Sequence, residues 1–473
     1  MRKTKIICTI GPASEKPEVF RRLAESGMNV VRLNFSHGSQ EEHGERIQMV
    51  MDYRRETGKP LGLLLDTKGP EIRIGEMQEG GAAISPGDPF TLTTEEIVGD
   101  EKRAHVTYAG LPGDVKPGNS ILIEDGILHL RVKKVEGTEI YCTVVNGGVL
   151  GSRKNVNVPG VHIKLSDITE KDKSDILFGI KNGVDFIAAS FVQNARDVIL
   201  IKQFLRANNG GHIHVIAKIE NREGVVNIDS IIEEADGVMV ARGDLGVDLA
   251  VEEVPIVQKT IVKKCNTAGK PVIVATQMLD SMIRNPRPTR AEANDVAGAI
   301  AESADAIMLS GETASGKYPV EALETMDRIA RAMEGSIDYA RKILIRAPKS
   351  GGATITNAIS TASCTTAISL EAAAILTPTK SGYTARMVSK HRPPCPIIAL
   401  PIDEKVLNKL TLLWGVMPML TPPTRNTDEL LEQCEKDALR SGLVCKGDIM
   451  VITAGVPLNV SGATNLIKIQ TVD

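Results

Sequence analysis

Eight short β-rich apolar runs, each followed by a few polar or glycine residues and then a helix-length amphipathic stretch, constrain this chain more than any other feature. The runs are KIICTI (5 to 10), VVRLNFS (30 to 36), LGLLLDT (61 to 67), DFIAASF (185 to 191), VIAKIE (215 to 220), GVMVARGD (237 to 244), PVIVATQ (271 to 277) and AIMLSGE (306 to 312). Strands separated by helices cannot pair as tight hairpins, so they pair in parallel through helical crossovers. Eight such units predict an α/β fold, a closed (β/α)8 TIM barrel. The intervening helices are well marked. Val254, Val257, Ile261, Val262 and Cys265 recur at helical spacing and stop near Gly269, and Thr289 with Glu292 spells a capping box.

The rhythm breaks between the third and fourth runs. Across roughly 71–165, turns such as Ser85-Pro86-Gly87, Pro112-Gly113-Asp114 and Lys116-Pro117-Gly118 separate alternating segments such as ILHLRVKKV and TEIYCTVV. This stretch predicts an inserted all-β lid domain, a small β-barrel. What remains, 1–70 and 166–345, amounts to about 250 residues, the usual length of such a barrel. A second boundary is expected at Ala347-Pro348-Lys349-Ser350-Gly351-Gly352. Beyond it the runs AAAILT, PIIAL and IMVITAG alternate with helical segments, so 346–473 is expected to form a C-terminal open α/β domain.

Composition narrows the function classes. The 56 basic residues against 59 acidic ones leave a net charge of −3, which gives no global footprint for nucleic acid or an anionic membrane. Aromatics are 3% of the chain and Trp414 is the one tryptophan, so stacking platforms for single strands are not expected. An anionic ligand must be met locally. The seven cysteines are scattered without a CxxC, which suggests neither a disulfide framework nor a zinc knuckle. The N-terminal MRKTKIICTIGP stops at Gly11-Pro12 without a cleavage site, and no run of ~18 apolar residues occurs, so a soluble cytoplasmic protein is expected.

Side chains at strand C-termini face the mouth of such a barrel, so polar residues at period two there carry information. Arg32, Asn34 and Ser36 share one face of the second run; Lys218 with Glu220, Arg242 with Asp244, and Ser310 with Glu312 repeat the pattern, while Asp66, Thr67 and Thr276 end two more runs. A single pair such as Lys218 with Glu220 fits a packing network equally well. Six strands ending alike favour a charged ligand, because burying unpaired ions costs several kcal/mol each. Glu220 and Asp244 would seat Mg²⁺, with ligand oxygens and water completing the shell. Arg32, Arg73 and Lys218 bring the positive charge that phosphoryl transfer demands. Asn34, Ser36, Asp66 and Thr67 offer hard oxygens suited to a monovalent ion.

Three local motifs have competing readings. Gly311 to Lys317 matches GxxxxGK after a strand, but Tyr318 stands where a phosphate-binding loop needs Ser or Thr, which argues against one. His37, on a loop after the second run, is read as solvated unless further information makes it a nucleotide contact. In the C-terminal region AAAILTPT leads through Lys380-Ser381-Gly382-Tyr383-Thr384 into a helical stretch; this is either an anion site for an effector, formed by Thr377, Thr379, Lys380, Ser381, Gly382 and Thr384, or a simple helix cap.

The segments TKIICTIGPAS, GMNVVRLNFSHG, LLLDTKGPEIR, AKIEN, VMVARGDLGV, ATQMLDSMIRNPRPTRAEANDVA, DAIMLSGETASGKYP and GDIMVITAGVP resemble the pyruvate kinase family from Thr4 to the C-terminus. The resemblance implies a glycolytic transfer of the phosphoryl group of phosphoenolpyruvate to ADP, followed by protonation of the enolate to pyruvate. It implies that Arg32 and Arg73 hold the phosphoryl group and that Lys218 stabilises its charge. Glu220 and Asp244 would bind Mg²⁺ (or Mn²⁺); the Gly243 and Asp244 backbone with Thr276 would take the substrate carboxylate. Thr276, Ser310 and Glu312 would line the proton path. Asn34, Ser36, Asp66 and Thr67 would hold K⁺, and Asn34, His37, Arg73 and Lys154 would contact nucleotide. Glu71 in place of the lysine of K⁺-independent members implies that K⁺ is required. A homotetramer under allosteric control by a phosphorylated effector is also implied.

Two departures stand out. Ala454-Gly455-Val456-Pro457-Leu458-Asn459 lacks the Trp and Arg of a fructose-bisphosphate loop, and the chain ends at Asp473 without the extra C-terminal domain expected of some bacterial members. Two alternatives from other classes remain open here: a Mg²⁺-dependent lyase or aldolase passing through a pyruvate enolate, and a catalytically silent metabolite sensor.

Overall fold

All eight runs form strands: β1 (Lys5–Thr9), β2 (Val30–Asn34), β3 (Gly62–Asp66), β4 (Phe186–Ala189), β5 (His214–Ile219), β6 (Gly237–Ala241), β7 (Val272–Ala275) and β8 (Ala306–Leu309). In the computed structural model, which describes residues 1–124, 126–161, 163, 168–345, 354–457 and 464–473, each pairs in parallel with its sequence neighbour. β8 returns to β1 with Lys5 opposite Ala306, which closes the barrel.

The two-residue period decides what lies inside. Ile7, Val30, Leu64, Phe186, Ile216, Met239, Ile273 and Ala306 fill the interior as one buried cluster, which Leu412 joins from the C-terminal region. The alternate positions, among them Val31, Leu33, Leu63, Leu65, Val215 and Ala217, pack outward beneath the helices. Stepping by twos from interior positions reaches the mouth: Val30 leads to Arg32, Leu64 to Asp66, Ile216 to Lys218 and then Glu220, and Met308 to Ser310. The marked helices form as expected. Glu253–Ala268 ends on Gly269 in the left-handed conformation (φ 69°), and the Thr289 hydroxyl accepts from the Glu292 N–H ahead of Arg290–Ala301.

Between β3 and β4 the chain builds a seven-stranded sheet centred on the hairpin of Leu128–Glu136 and Glu139–Asn146, with its own core of Ile74, Phe90, Leu92, Val106, Ile121 and Leu130. The C-terminal five-stranded sheet runs in the order Val416–Pro418, Ile397–Pro401, Ala374–Thr379, Ile449–Ala454, Leu466–Thr471, all parallel except the last. The expected boundary at Ala347 to Gly352 lies outside the described residues, as do Leu165, Ser166 and the terminal loop from Leu458 to Asn459. No helix among the described residues is long and apolar enough to cross a membrane. All seven cysteines are free, and Cys8, Cys142, Cys265, Cys364 and Cys434 are buried as small hydrophobes.

The C-terminal sheet docks on the barrel floor through polar locks. Arg392, 4% exposed, donates to Asp305 Oδ1 (2.8 Å), Asn266 Oδ1 (2.6 Å) and the Ser303 carbonyl (3.0 Å). The Lys5 ammonium reaches the Val416 carbonyl at 2.6 Å. The opposite end of the barrel is left to the chemistry.

Candidate active site

Asp66 ends β3 with no exposed surface and organises the mouth. Its Oδ2 accepts from Arg32 Nε at 2.7 Å and its Oδ1 from Lys218 Nζ at 3.0 Å. The register places them: Thr9 pairs with Arg32 and Asn34 with Asp66 across β1, β2 and β3, so Arg32 also donates to Thr9 Oγ1 at 2.9 Å. Burial works against the Asp66 charge, but Lys218 and Arg32 outweigh it and hold the carboxyl below its ordinary range.

Lys218 is fixed from three sides, by Asp66, by Ser190 Oγ at 2.7 Å and by Glu220 Oε1 at 3.0 Å. Burial opposes its charge as well, yet Asp66 and Glu220 raise its pKa above that of an ordinary lysine. Glu220 lies the other way. Burial and then the neighbouring Asp244 charge overcome the pull of Lys218 and push its carboxyl up to about 7, even though the Phe191 N–H donates to it at 2.6 Å. A buried carboxylate whose pKa is raised, with a second carboxylate beside it, is donor chemistry that a divalent cation satisfies.

Asp244 does not continue a strand. β6 ends at Ala241 and a helix, Arg242–Asp248, begins at once, which corrects the expected period-two pairing of Arg242 with Asp244. Arg242 turns aside to brace the loop, donating to Asp295 Oδ1 and the Thr276 carbonyl, both at 2.7 Å. The Gly243 N–H meets Thr276 Oγ1 at 2.8 Å. Thr276 and Gln277 both take left-handed backbone angles (φ 69° and 54°), a conformation that costs free energy in non-glycine residues and gathers at functional sites. Glu312 likewise lies on a short helix, Gly311–Ala314, rather than on β8. It is buried at 2% exposure, accepts from the Leu279 and Ser310 N–H groups at 3.0 and 2.8 Å, and burial raises its carboxyl pKa. The Ser310 hydroxyl beside it is buried without a hydrogen-bond partner among the described residues.

The turn after β3 joins barrel to lid. Gly69 has φ 71°, and a Cβ there would stand 2.7 Å from the Ser190 Cβ, so this position needs glycine. Beyond it Glu71 pairs with Arg73 at 2.7 Å and with Lys68 at 3.5 Å. Two spaces open at the mouth. A cleft of about 150 Å³ between lid and barrel is lined by Glu71, Ser190, Glu220 and Asp244. A wider groove is lined by Ser36, His37, Lys68, Arg73, His105 and Arg153.

Not every expected residue joins these spaces. Lys154 is ion-paired with Glu124 on the lid. Asn34 Oδ1 accepts from the Ser36 N–H at 3.2 Å, and the Thr67 carbonyl accepts from Ser190 Oγ at 2.7 Å. In the C-terminal region Thr379, Lys380, Ser381 and Gly382 share one turn, with the Gly382 N–H donating to Thr379 Oγ1 at 3.0 Å. Thr377 is sealed in its strand with its hydroxyl toward the Ile398 carbonyl, and Thr384 is buried against Thr464 at 2.9 Å. The sequence reading overlooked Ser190, Thr9 and the Phe191 N–H. Ser190 was legible, since it lies two residues beyond the interior residue Ala188; the Phe191 N–H, set by a left-handed φ of 56°, has no sequence signal.

Comparison with known proteins gives one answer. A pyruvate kinase barrel-domain model matches residues 1–323 and a pyruvate kinase alpha/beta-domain model matches 357–470. A pyruvate kinase from Geobacillus stearothermophilus is 54% identical over 473 residues, all of this chain and 80% of the relative. One from Clostridium acetobutylicum is 51% identical over 474 residues, with both chains covered in full. The crystal structure of a pyruvate kinase from Cryptosporidium parvum superposes with a TM-score of 0.94 at 39% identity, covering 100% of this chain and 96% of that one. Neither the lyase nor the sensor alternative finds support among these relatives. The Asp66-centred mouth and relatives matched along the whole chain lead to one conclusion: this chain belongs to the pyruvate kinase family and transfers the phosphoryl group of phosphoenolpyruvate to ADP, giving pyruvate and ATP.

Proposed function

We propose that the chemistry is carried by the Arg32, Asp66, Lys218 and Glu220 constellation, and the observation behind this is Lys218 held rigidly among three oxygens in the barrel mouth. A β-phosphate oxygen of ADP attacks the phosphorus of phosphoenolpyruvate, the bond from phosphorus to the enol oxygen breaks, and the enolate takes a proton at its methylene carbon. Arg32 and Arg73 hold the phosphoryl group, and Lys218 meets the charge that builds on its oxygens without reorganising. The Gly243 and Asp244 backbone with the Thr276 hydroxyl receives the substrate carboxylate. Thr276 stands beside it on the proton path, with Ser310 and Glu312 behind; the unpartnered Ser310 hydroxyl and the raised Glu312 pKa support that path.

Glu220 and Asp244 would hold Mg²⁺ or Mn²⁺, whose charge neutralises phosphate oxygens when bound; two protein ligands leave its remaining positions to substrate and water. Asn34, Ser36, Asp66 and Thr67 would hold K⁺. Nucleotide would enter the groove at His37 and Arg73, with Asn34 and Lys154 at its margins. The working units are 1–70 with 166–345 as catalytic barrel, 71–165 as lid and 346–473 as regulatory domain, acting in a cytoplasmic homotetramer. A phosphorylated effector would bind the turn from Thr379 to Gly382, near Thr377 and Thr384. A coupled assay with phosphoenolpyruvate, ADP and Mg²⁺, run on the parent and on Lys218→Met, tests the reading: turnover in the parent and its loss in the variant are expected, and equal rates would refute it.

A further inference from the structure

The turn that follows β2 carries Asn34, Ser36 and His37, and the last two line the wider groove. Two of its carbonyls are held from behind by side chains that line neither that groove nor the cleft between lid and barrel. The helix Gln40–Thr57 presents His43, 1% exposed, whose ring stacks on Phe35 with centroids 4.0 Å apart and planes 18° apart. Its Nε2 stands 2.9 Å from the His37 carbonyl. A carbonyl only accepts, so Nε2 carries the proton. Burial lowers the ring's pKa and keeps Nδ1 bare, buried without a partner among the described residues. Lys171, on the helix Glu170–Lys181, donates to the Phe35 carbonyl at 3.0 Å while paired with Asp175 at 2.5 Å. Asp175 also accepts from Gln40 Nε2 at 2.9 Å, which ties the two helices together under the turn.

The turn needs such pegs. From within, the Ser36 N–H to Asn34 Oδ1 and the His37 N–H to the Asn34 carbonyl are both long, at 3.2 Å. Gly38 follows at φ 79°, so the peptide plane after His37 has a glycine's freedom unless something outside fixes it. We propose that His43 is a positioning residue of the reaction: its Nε2–H fixes the His37 carbonyl and thereby aims Asn34, Ser36 and His37 at nucleotide and monovalent ion, with Lys171 as a companion peg on Phe35. The proposal rests on the reading that puts nucleotide and K⁺ at this turn. Stacking on Phe35 sets the plane of the imidazole, so its donor has one direction. Losing that donor loosens the turn but not Arg32 and Lys218, which Asp66 holds independently. The consequence is a loss of affinity for what the turn meets, with the phosphoryl-transfer step itself preserved.

The test is steady-state kinetics of the full chain at saturating Mg²⁺. His43→Phe keeps a stacked ring and removes the donor; His43→Gln restores an N–H at the same reach. In His43→Phe the KM for ADP and the K⁺ concentration for half-maximal rate are expected to rise about three- to tenfold, the worth of one buried hydrogen bond. The kcat at saturating ADP and K⁺, and the KM for phosphoenolpyruvate there, are expected to stay within about twofold. His43→Gln is expected to recover most of the shift. A merely structural role would lower kcat and the melting point without that split, and a fall in kcat with unmoved KM values, or a shift that glutamine does not recover, overturns the proposal. His37→Ala reports on the underlying reading. A raised KM for ADP there beside parent values in His43→Phe overturns the proposal alone; no rise in His37→Ala overturns the reading and the proposal with it. Thermal melts establish that each variant is folded, and if His43→Phe is not, His43→Asn, whose shorter side chain leaves the carbonyl unmet, takes its place.

Discussion

Replacing Lys218 by methionine separates chemistry from scaffold. Lys218 lies within 3.0 Å of Asp66, Ser190 and Glu220, so its charge is already aimed before substrate arrives. Removing one such preorganised donor costs ~3 to 4 kcal/mol of transition-state stabilisation, a loss in kcat of about 10² to 10³. The ground-state cost has a different pattern. Asp66 keeps Arg32 at 2.7 Å and stays ionised. Glu220 keeps the Phe191 N–H but loses the cation that held its carboxyl down, so in the metal-free protein its pKa shifts further upward. Breaking a buried ion pair costs ~3 to 5 kcal/mol, and protonation of Glu220 relieves part of it, so the folded state persists with a lowered melting point.

Three measurements check this on one sample: the phosphoryl-transfer rate at saturating Mg²⁺, the exchange of pyruvate methyl protons in D₂O, and the thermal unfolding curve. Transfer is expected to fall while methyl exchange, which uses the Thr276 side of the mouth, continues. A folded variant whose transfer rate stays within tenfold of the parent would sink the argument. Loss of transfer and exchange together in a folded variant would mean that Lys218 positions the substrate rather than meeting the migrating phosphoryl group.

Three further outcomes are expected. Parent turnover should collapse in a K⁺-free buffer whose ionic strength is held by an organic cation; Glu71→Lys should relax that dependence at reduced rate, because it sets an ammonium against Arg73 and Lys68, which Glu71 now pairs, and equal parent rates with and without K⁺ would refute the monovalent site. Thr276→Ala should slow pyruvate methyl exchange by about 10² or more, in the range of positioned proton transfer, with a rise in KM for phosphoenolpyruvate; unchanged exchange would remove Thr276 from the proton path. Burial first, then the Arg2 charge, brings Lys5 down to about 7, so between that value and its ordinary ~10.4 the unfolded chain holds a proton the folded one lacks. Stability should therefore climb from pH 7 toward pH 9 by up to ~1.4 kcal/mol per pH unit, and Lys5→Met should flatten the climb; parallel melting curves for parent and variant would refute it.

The barrel was legible because a single rule, the two-residue period, fixes both interior and mouth. Val30 and Arg32, or Ile216 and Lys218, lie on one face whatever the rest of the chain does. The rule fails where strands stop. Arg242 and Glu312 fall on helices that start within a residue or two of the strand end, so their side chains follow helical geometry and Arg242 braces Thr276 instead of facing ligand. In the C-terminal region Val416–Pro418 was too short to register and Leu466–Thr471 alternates with polar residues on a half-exposed edge. Thr377 was grouped with the turn by its hydroxyl, but it occupies a central strand of a packed sheet, where such a group satisfies a neighbouring carbonyl.

The two ends of the barrel are built for opposite purposes, and the charges show it. At the floor the terminal nitrogens of Arg392 meet Asp305, Asn266 and Ser303, and Lys5 meets a carbonyl of the C-terminal sheet. Such contacts transmit position, since a packed and hydrogen-bonded floor cannot shift without carrying the strands above it. At the mouth Lys218 is fixed among three oxygens and Glu220 is pushed to about 7, a cost that packing alone would have removed.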